Sequence, residues 1–141
     1  MNWLVNTVVV ASDGSAGSES VLASARAVAR ATRARVVVVH VNEVIRGRSA
    51  THQMYPTEDE MLAAAHAEVD SLKNAGIRAS LELRTTTAEP ARAIAETASA
   101  VDADLIVTGR SRHHTLWPLL AGSTSQRLIR FAACPVLVIP K

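Results

Sequence analysis

The residues able to do chemistry gather at three places, each small or polar and each directly after an apolar run. Ala11-Ser12-Asp13-Gly14-Ser15 follows the first run, His40-Val41-Asn42 ends the second, and Thr108-Gly109 ends the fourth. At Gly109 a missing Cβ would let the backbone approach a ligand closely. Gly122-Ser123-Thr124-Ser125 then opens a helical segment. The unpaired N–H groups and dipole at a helix start attract anions, and three hydroxyls add donors, so this segment has the chemistry of a phosphate cradle. The same Gly-Ser-Thr run also suits an ordinary helix N-cap. Asp13 could accept hydrogen bonds from an adenine amino group or a ribose hydroxyl, or cap the turn that starts at Ser15.

Other reactive side chains read more plainly. His40 lies inside an apolar run and is expected to be a core imidazole with its hydrogen bonds met. His113 and His114 lack the spaced Cys, His or Asp partners of a metal site. Cys134 precedes Pro135 and an apolar run with no base nearby, which marks a small core residue. Trp117-Pro118-Leu119-Leu120 forms an apolar patch that could cover a ligand, meet a partner or simply pack. No Gly-Lys-Ser/Thr of a P-loop is present, and no G-x-G-x-x-G follows the first run. A nucleophile elbow and an ordered Ser-His-Asp set are absent as well, so no catalytic residue and no metal ligand is assigned.

These residues need strands that end together. The runs at 7–11, 35–42, 105–108 and 136–139 are rich in β-branched residues and almost continuously apolar, as strands buried on both faces are. A fifth run, 77–85, sets Ile77, Ala79, Leu81 and Leu83 against Arg78, Ser80, Glu82 and Arg84, the alternation of an edge strand with one wet face. Helical spacing separates the strands. Val21, Leu22, Ala25, Val28 and Ala29 share one face of a helix starting near Ser18, and Met61, Leu62, Ala65, Val69 and Leu72 share one face of a second. Thr57 with Glu60 forms a capping box for the second helix, and Gly76 stands where a left-handed C′ residue belongs. Glu89-Pro90 opens a third helix with Ile94, Ala95 and Ala98 facing inward, and a fourth runs from about 123 to 132. Strands alternating with helices give a parallel sheet covered on both faces: an open, doubly wound α/β fold. The stretch 43–56, carrying Arg46, Arg48, His52 and Tyr55, has no periodicity and is expected to be a mobile loop.

Bulk properties bound the class. The chain has 141 residues, 48% hydrophobic and 20% charged, which suits one domain, 1–141, with its own core. Trp3, Tyr55, Trp117 and Phe131 are the only aromatic residues, so the core must be aliphatic. A net charge of +2 with scattered Arg and Lys argues against nucleic acid as a partner. No apolar run approaches the length needed to insert in a membrane, and Cys134 alone forms no intrachain disulfide, which suits a cytoplasmic location.

Over its whole length the sequence resembles the universal stress protein family. The matching pieces are VVVASDGS from Val8, VVVHVN from Val37, ADLIVTG from Ala103, Gly122-Ser123, and CPVLVIP from Cys134. The resemblance implies a five-stranded parallel sheet in the order 3-2-1-4-5 and a homodimer formed through the last strand, Val136 to Ile139. It also implies an adenine-nucleotide-binding stress-response protein that senses or signals without strong catalysis. The ligand implied is ATP or AMP, with Mg2+ as an optional companion. By the same resemblance, Ala11, Asp13 and Val41 line the adenine and ribose, while Gly109, Gly122, Ser123, Thr124 and Ser125 hold phosphates. The family's motif is G-x-x-G, nine residues, then G-S/T, and here Arg112 replaces its middle glycine. A side chain at that point obstructs a backbone contact with phosphate, yet a guanidinium pairs well with phosphate. The rival readings are a dimeric interaction module of the same fold that binds no nucleotide, and a slow ATP hydrolase.

Overall fold

Val-rich runs pair side by side because residues buried on both faces need partners above and below the sheet as well as beside them. The computed structural model describes residues 3–12, 18–43, 58–86, 89–110 and 124–140. In chain order these form β1 (Thr7–Ser12), α1 (Ser18–Thr32), β2 (Arg35–Glu43), α2 (Glu58–Asn74), β3 (Ala79–Thr86), α3 (Pro90–Ala100), β4 (Leu105–Gly109), α4 (Thr124–Phe131) and β5 (Val136–Ile139). All pairings are parallel and the sheet order is β3-β2-β1-β4-β5, as expected. Thr57 and the stretch 44–56 lie outside the described residues.

Alternate strand residues feed two cores. Val8, Val10, Val36, Val38 and Val107 pack under Val21, Leu22, Ala25 and Ala29 of α1 and under Val69 and Leu72 of α2. Val9, Val37, Val39 and Ile106 pack on the other face, under Ile94, Ala95 and Ala98 of α3 and Leu128 of α4. Each fully buried Val or Leu contributes about 1.5–3 kcal/mol, so the central strands are the main store of stability.

Three helices end in the same way. The left-handed residues Arg33 (φ 61), Gly76 (φ 81) and Asp102 (φ 54) follow α1, α2 and α3. Beyond them, Ala34 N–H donates to Ala29 O at 3.2 Å, Ile77 N–H to Leu72 O at 3.0 Å, and Ala103 N–H to Ala98 O at 2.9 Å. This closure satisfies carbonyls that a helix end would leave bare. Opposite the site, Asp104 Oδ2 accepts from the N–H groups of Asn6 (2.8 Å) and Thr7 (3.0 Å), stapling the start of β1 to that of β4.

β3 departs from the expected alternation. It is an edge strand as read, but Ile77 precedes it, and the inward pattern breaks at Leu83, which is 51% exposed. Beside it Arg84 is half-buried, with Nη2 3.6 Å from Glu96 Oε2 of α3.

Candidate functional site

Every strand is parallel, so all the carboxyl ends lie at one end of the sheet, and each following helix starts there. The order reverses between β1 and β4: the chain passes from β1 to β2 on one side and reaches β4 on the other. Such a switch point opens a crevice outside the strand ends. Ala11, Val41 and Gly109 stand at the ends of three successive strands, β1, β2 and β4. Ala11 is in register with Val39 on one side and Thr108 on the other. Ala11 and Val41 both pack toward the face that carries α3 and α4.

Thr124 and Ser125 form the first turn of α4, which starts at this same end. Ser125 is buried and Thr124 half-buried, with Leu128 a turn later fully buried against the sheet. The helix N-terminus is therefore anchored by an apolar residue that fixes its height over the sheet. Ala11, Val41, Thr124 and Ser125 thus come to one end of the α3–α4 face, and Gly109 ends the neighbouring strand at the same end of the sheet. Asp13, Arg112, Gly122 and Ser123 lie outside the described residues, as do His113, His114 and Trp117.

Behind β1 and β2, under α2, sits a polar cluster that the sequence reading misjudged. Ser12 Oγ donates to Glu68 Oε1 at 2.7 Å, and His40 Nδ1 lies 3.3 Å from Ser12 O. A carbonyl only accepts, so Nδ1 is the donor in this contact. His40 is a core imidazole, but not a satisfied one: its buried Nε2 meets no hydrogen-bond partner among the described residues. Glu68 was missed although it carried a signal. It falls between Ala65 and Leu72 on the apolar stripe of α2, where a carboxylate breaks the pattern.

On the candidate face, α3 and α4 are tied by two charged contacts. Glu89 pairs with Arg127, and the Arg92 guanidinium lies 4.4 Å from the Phe131 ring centroid. Neither pair had been singled out, because no local spacing links residues from different helices. Cys134 is half-buried against this core as expected, and burial, aided by the charge of Asp104, pushes its thiol pKa up. Among the described residues no group of three His, Cys, Asp or Glu side chains could hold a metal ion.

A model of the universal stress protein family matches residues 5–140. The chain belongs to the universal stress protein family. A curated relative, the universal stress protein in the QAH/OAS sulfhydrylase 3′ region of Thermus aquaticus, is 32% identical, the match covering 96% of this chain and 99% of that one. A universal stress protein solved in complex with cAMP superposes with a TM-score of 0.71 at 27% identity, covering 97% of this chain and 98% of that one. The Archaeoglobus fulgidus universal stress protein solved with dAMP gives a TM-score of 0.68 at 25% identity, covering 98% of this chain and 99% of that one. No helix of the described residues is long and apolar enough to cross a membrane.

Proposed function

We propose that this universal stress protein is a cytoplasmic adenine-nucleotide-binding protein of the stress response, acting by sensing or signalling. The observation that carries the reading is the gathering of Ala11, Val41 and Gly109 at the strand ends of the switch point, the same end of the sheet at which α4 begins with Thr124 and Ser125. Two related structures, similar over nearly their full lengths, hold cAMP and dAMP. In this reading Asp13 and the ends of β1 and β2 take the adenine and ribose. Gly109, Gly122, Ser123, Thr124 and Ser125 take phosphate through N–H groups and hydroxyls, with the Arg112 guanidinium as an added cation. The site offers donors and a helix dipole for an anion, which supports a binding role.

Calorimetric titration of the purified chain with AMP and with ATP, with and without Mg2+, tests this directly. Saturable binding at or below millimolar nucleotide is expected, and a flat titration at millimolar ligand defeats the proposal.

A second reading, a homodimer of this fold, is favoured by the exposed apolar side chains Ile129 of α4 and Leu137 of β5 along the sheet edge. An uncovered apolar edge strand is unfavourable in isolation. Light scattering across micromolar concentrations should give twice the chain mass, and a strictly monomeric profile refutes it.

A further inference from the structure

The two contacts between α3 and α4 lie one turn apart, and only one of them is at the strand-end crevice. Glu89 stands at the N-cap of α3 with extended backbone (φ −83, ψ 127), yet its side chain makes no capping hydrogen bond to α3. Its carboxylate goes instead to Arg127 Nη1, one turn beyond Thr124 and next to fully buried Leu128. Three residues along α3, Arg92 meets Phe131, the last residue of α4. The Glu89 carboxylate is therefore committed to the neighbouring helix, at the end where a ligand would sit. The pair is about one-third exposed on each side, with side-chain exposures of 33% and 37%, so its contribution to global stability is small. Its consequence is orientation.

We propose that Glu89 and Arg127 are a positioning pair that holds the first turn of α4, and with it Thr124 and Ser125, in place for phosphate, while Arg92 and Phe131 secure only the far end. The inference rests on the reading of that turn as a phosphate site. A 1 Å error in such a turn is enough to misdirect N–H groups that must converge on one anion.

The test is a double-mutant cycle on the full chain with Glu89→Ala, Arg127→Met, the combined variant, and Arg92→Gln as the distal control. AMP and adenosine are titrated into each, and amide exchange is measured over Ser125 to Leu128. Each proximal variant should weaken AMP by about five- to tenfold and adenosine by less than about twofold, with the combined variant no worse than either. Exchange in the first turn of α4 should accelerate in these variants and stay at the wild-type rate in Arg92→Gln. Tighter AMP binding by Glu89→Ala would mean that the carboxylate competes with phosphate for Arg127, and it overturns the proposal. So do additive losses, which would make Arg127 a direct ligand. If wild type binds no AMP, the nucleotide reading fails, and unchanged exchange in Glu89→Ala separately overturns the positioning role.

Discussion

The face of the sheet under α1 and α2 and the face under α3 and α4 are built from alternate residues of the same Val-rich strands, yet polar groups enter them differently. On the first face the polar cluster is internal. Ser12 and His40 on the strands and Glu68 of α2 are joined by hydrogen bonds on the face that carries the α1–α2 core. On the second face the strand positions beside them are Ala11 and Val41, and the charged contacts sit above the sheet, between helices. Buried polar groups hold one arrangement because breaking any bond strands its partner, whereas half-exposed ion pairs can exchange with water at low cost. The first face is therefore the rigid backing of the crevice. The second is the face on which a ligand could enter and helices could adjust.

A matched pair of core truncations probes this contrast hardest. Leu72 of α2 and Leu128 of α4 are both fully buried, one on each face. Leu72→Ala and Leu128→Ala should each cost about 2–5 kcal/mol, since the lost contacts and the residual cavity are alike. Thermal midpoints should fall by roughly 6–15 °C, read by calorimetry. The two should part in binding: Leu128→Ala should weaken AMP at temperatures where the variant is still folded, and Leu72→Ala should not. Equal effects on AMP would erase the distinction between backing and binding face.

A smaller effect is expected at Ser12. Ser12→Ala removes the donor to Glu68 and leaves that carboxylate oxygen short of a bond it had, at a cost of about 1–3 kcal/mol. Chemical denaturation should show a lower midpoint with an unchanged slope, because the surface exposed on unfolding is the same. A wild-type midpoint would show that the cluster is not a brace.

Much of this was legible in the sequence, for identifiable reasons. The continuous apolar runs at β1, β2 and β4 report burial on both faces, which only the inside of a covered sheet provides, and Gly76 announced the end of α2. The equally apolar run of β5 misled: it forms the sheet edge, with Leu137 exposed and its other residues half-buried. The ends of α1 and α3 were not announced. Arg33 and Asp102 take the left-handed conformation that glycine marks in sequence, and the residues after them, Ala34 and Ala103, close the helix ends by donating to Ala29 O and Ala98 O. The alternation in β3 fails at Leu83, which is exposed, while Arg84 on the opposite face is half-buried beside Glu96 of α3. Within the site, Gly109, Thr124 and Ser125 could be named from their places after a strand and before a helix. Glu89 and Arg127 could not, since each acts on a partner 38 residues away. The sequence shows which residues end a strand, but a contact across helices is decided by packing.

The least disruptive change falls on the binding face, at Cys134. Burial and, second to it, the Asp104 carboxylate disfavour the thiolate, so its pKa lies above that of a free cysteine. Only the thiolate is nucleophilic. Alkylation of the folded chain near neutral pH should therefore be slower than that of the unfolded chain, and should rise with pH beyond the point where a free thiol levels off. The linked effect on stability has a fixed sign: above the ordinary thiol pKa the unfolded chain binds fewer protons than the folded one, so stability falls as pH rises through that window. Asp104→Asn removes the smaller cause and should speed alkylation modestly. It also alters the staple to Asn6 and Thr7, so the rate is to be read beside the thermal midpoint. A folded-state rate equal to the unfolded one would place Cys134 in open water rather than against the α3–α4 core.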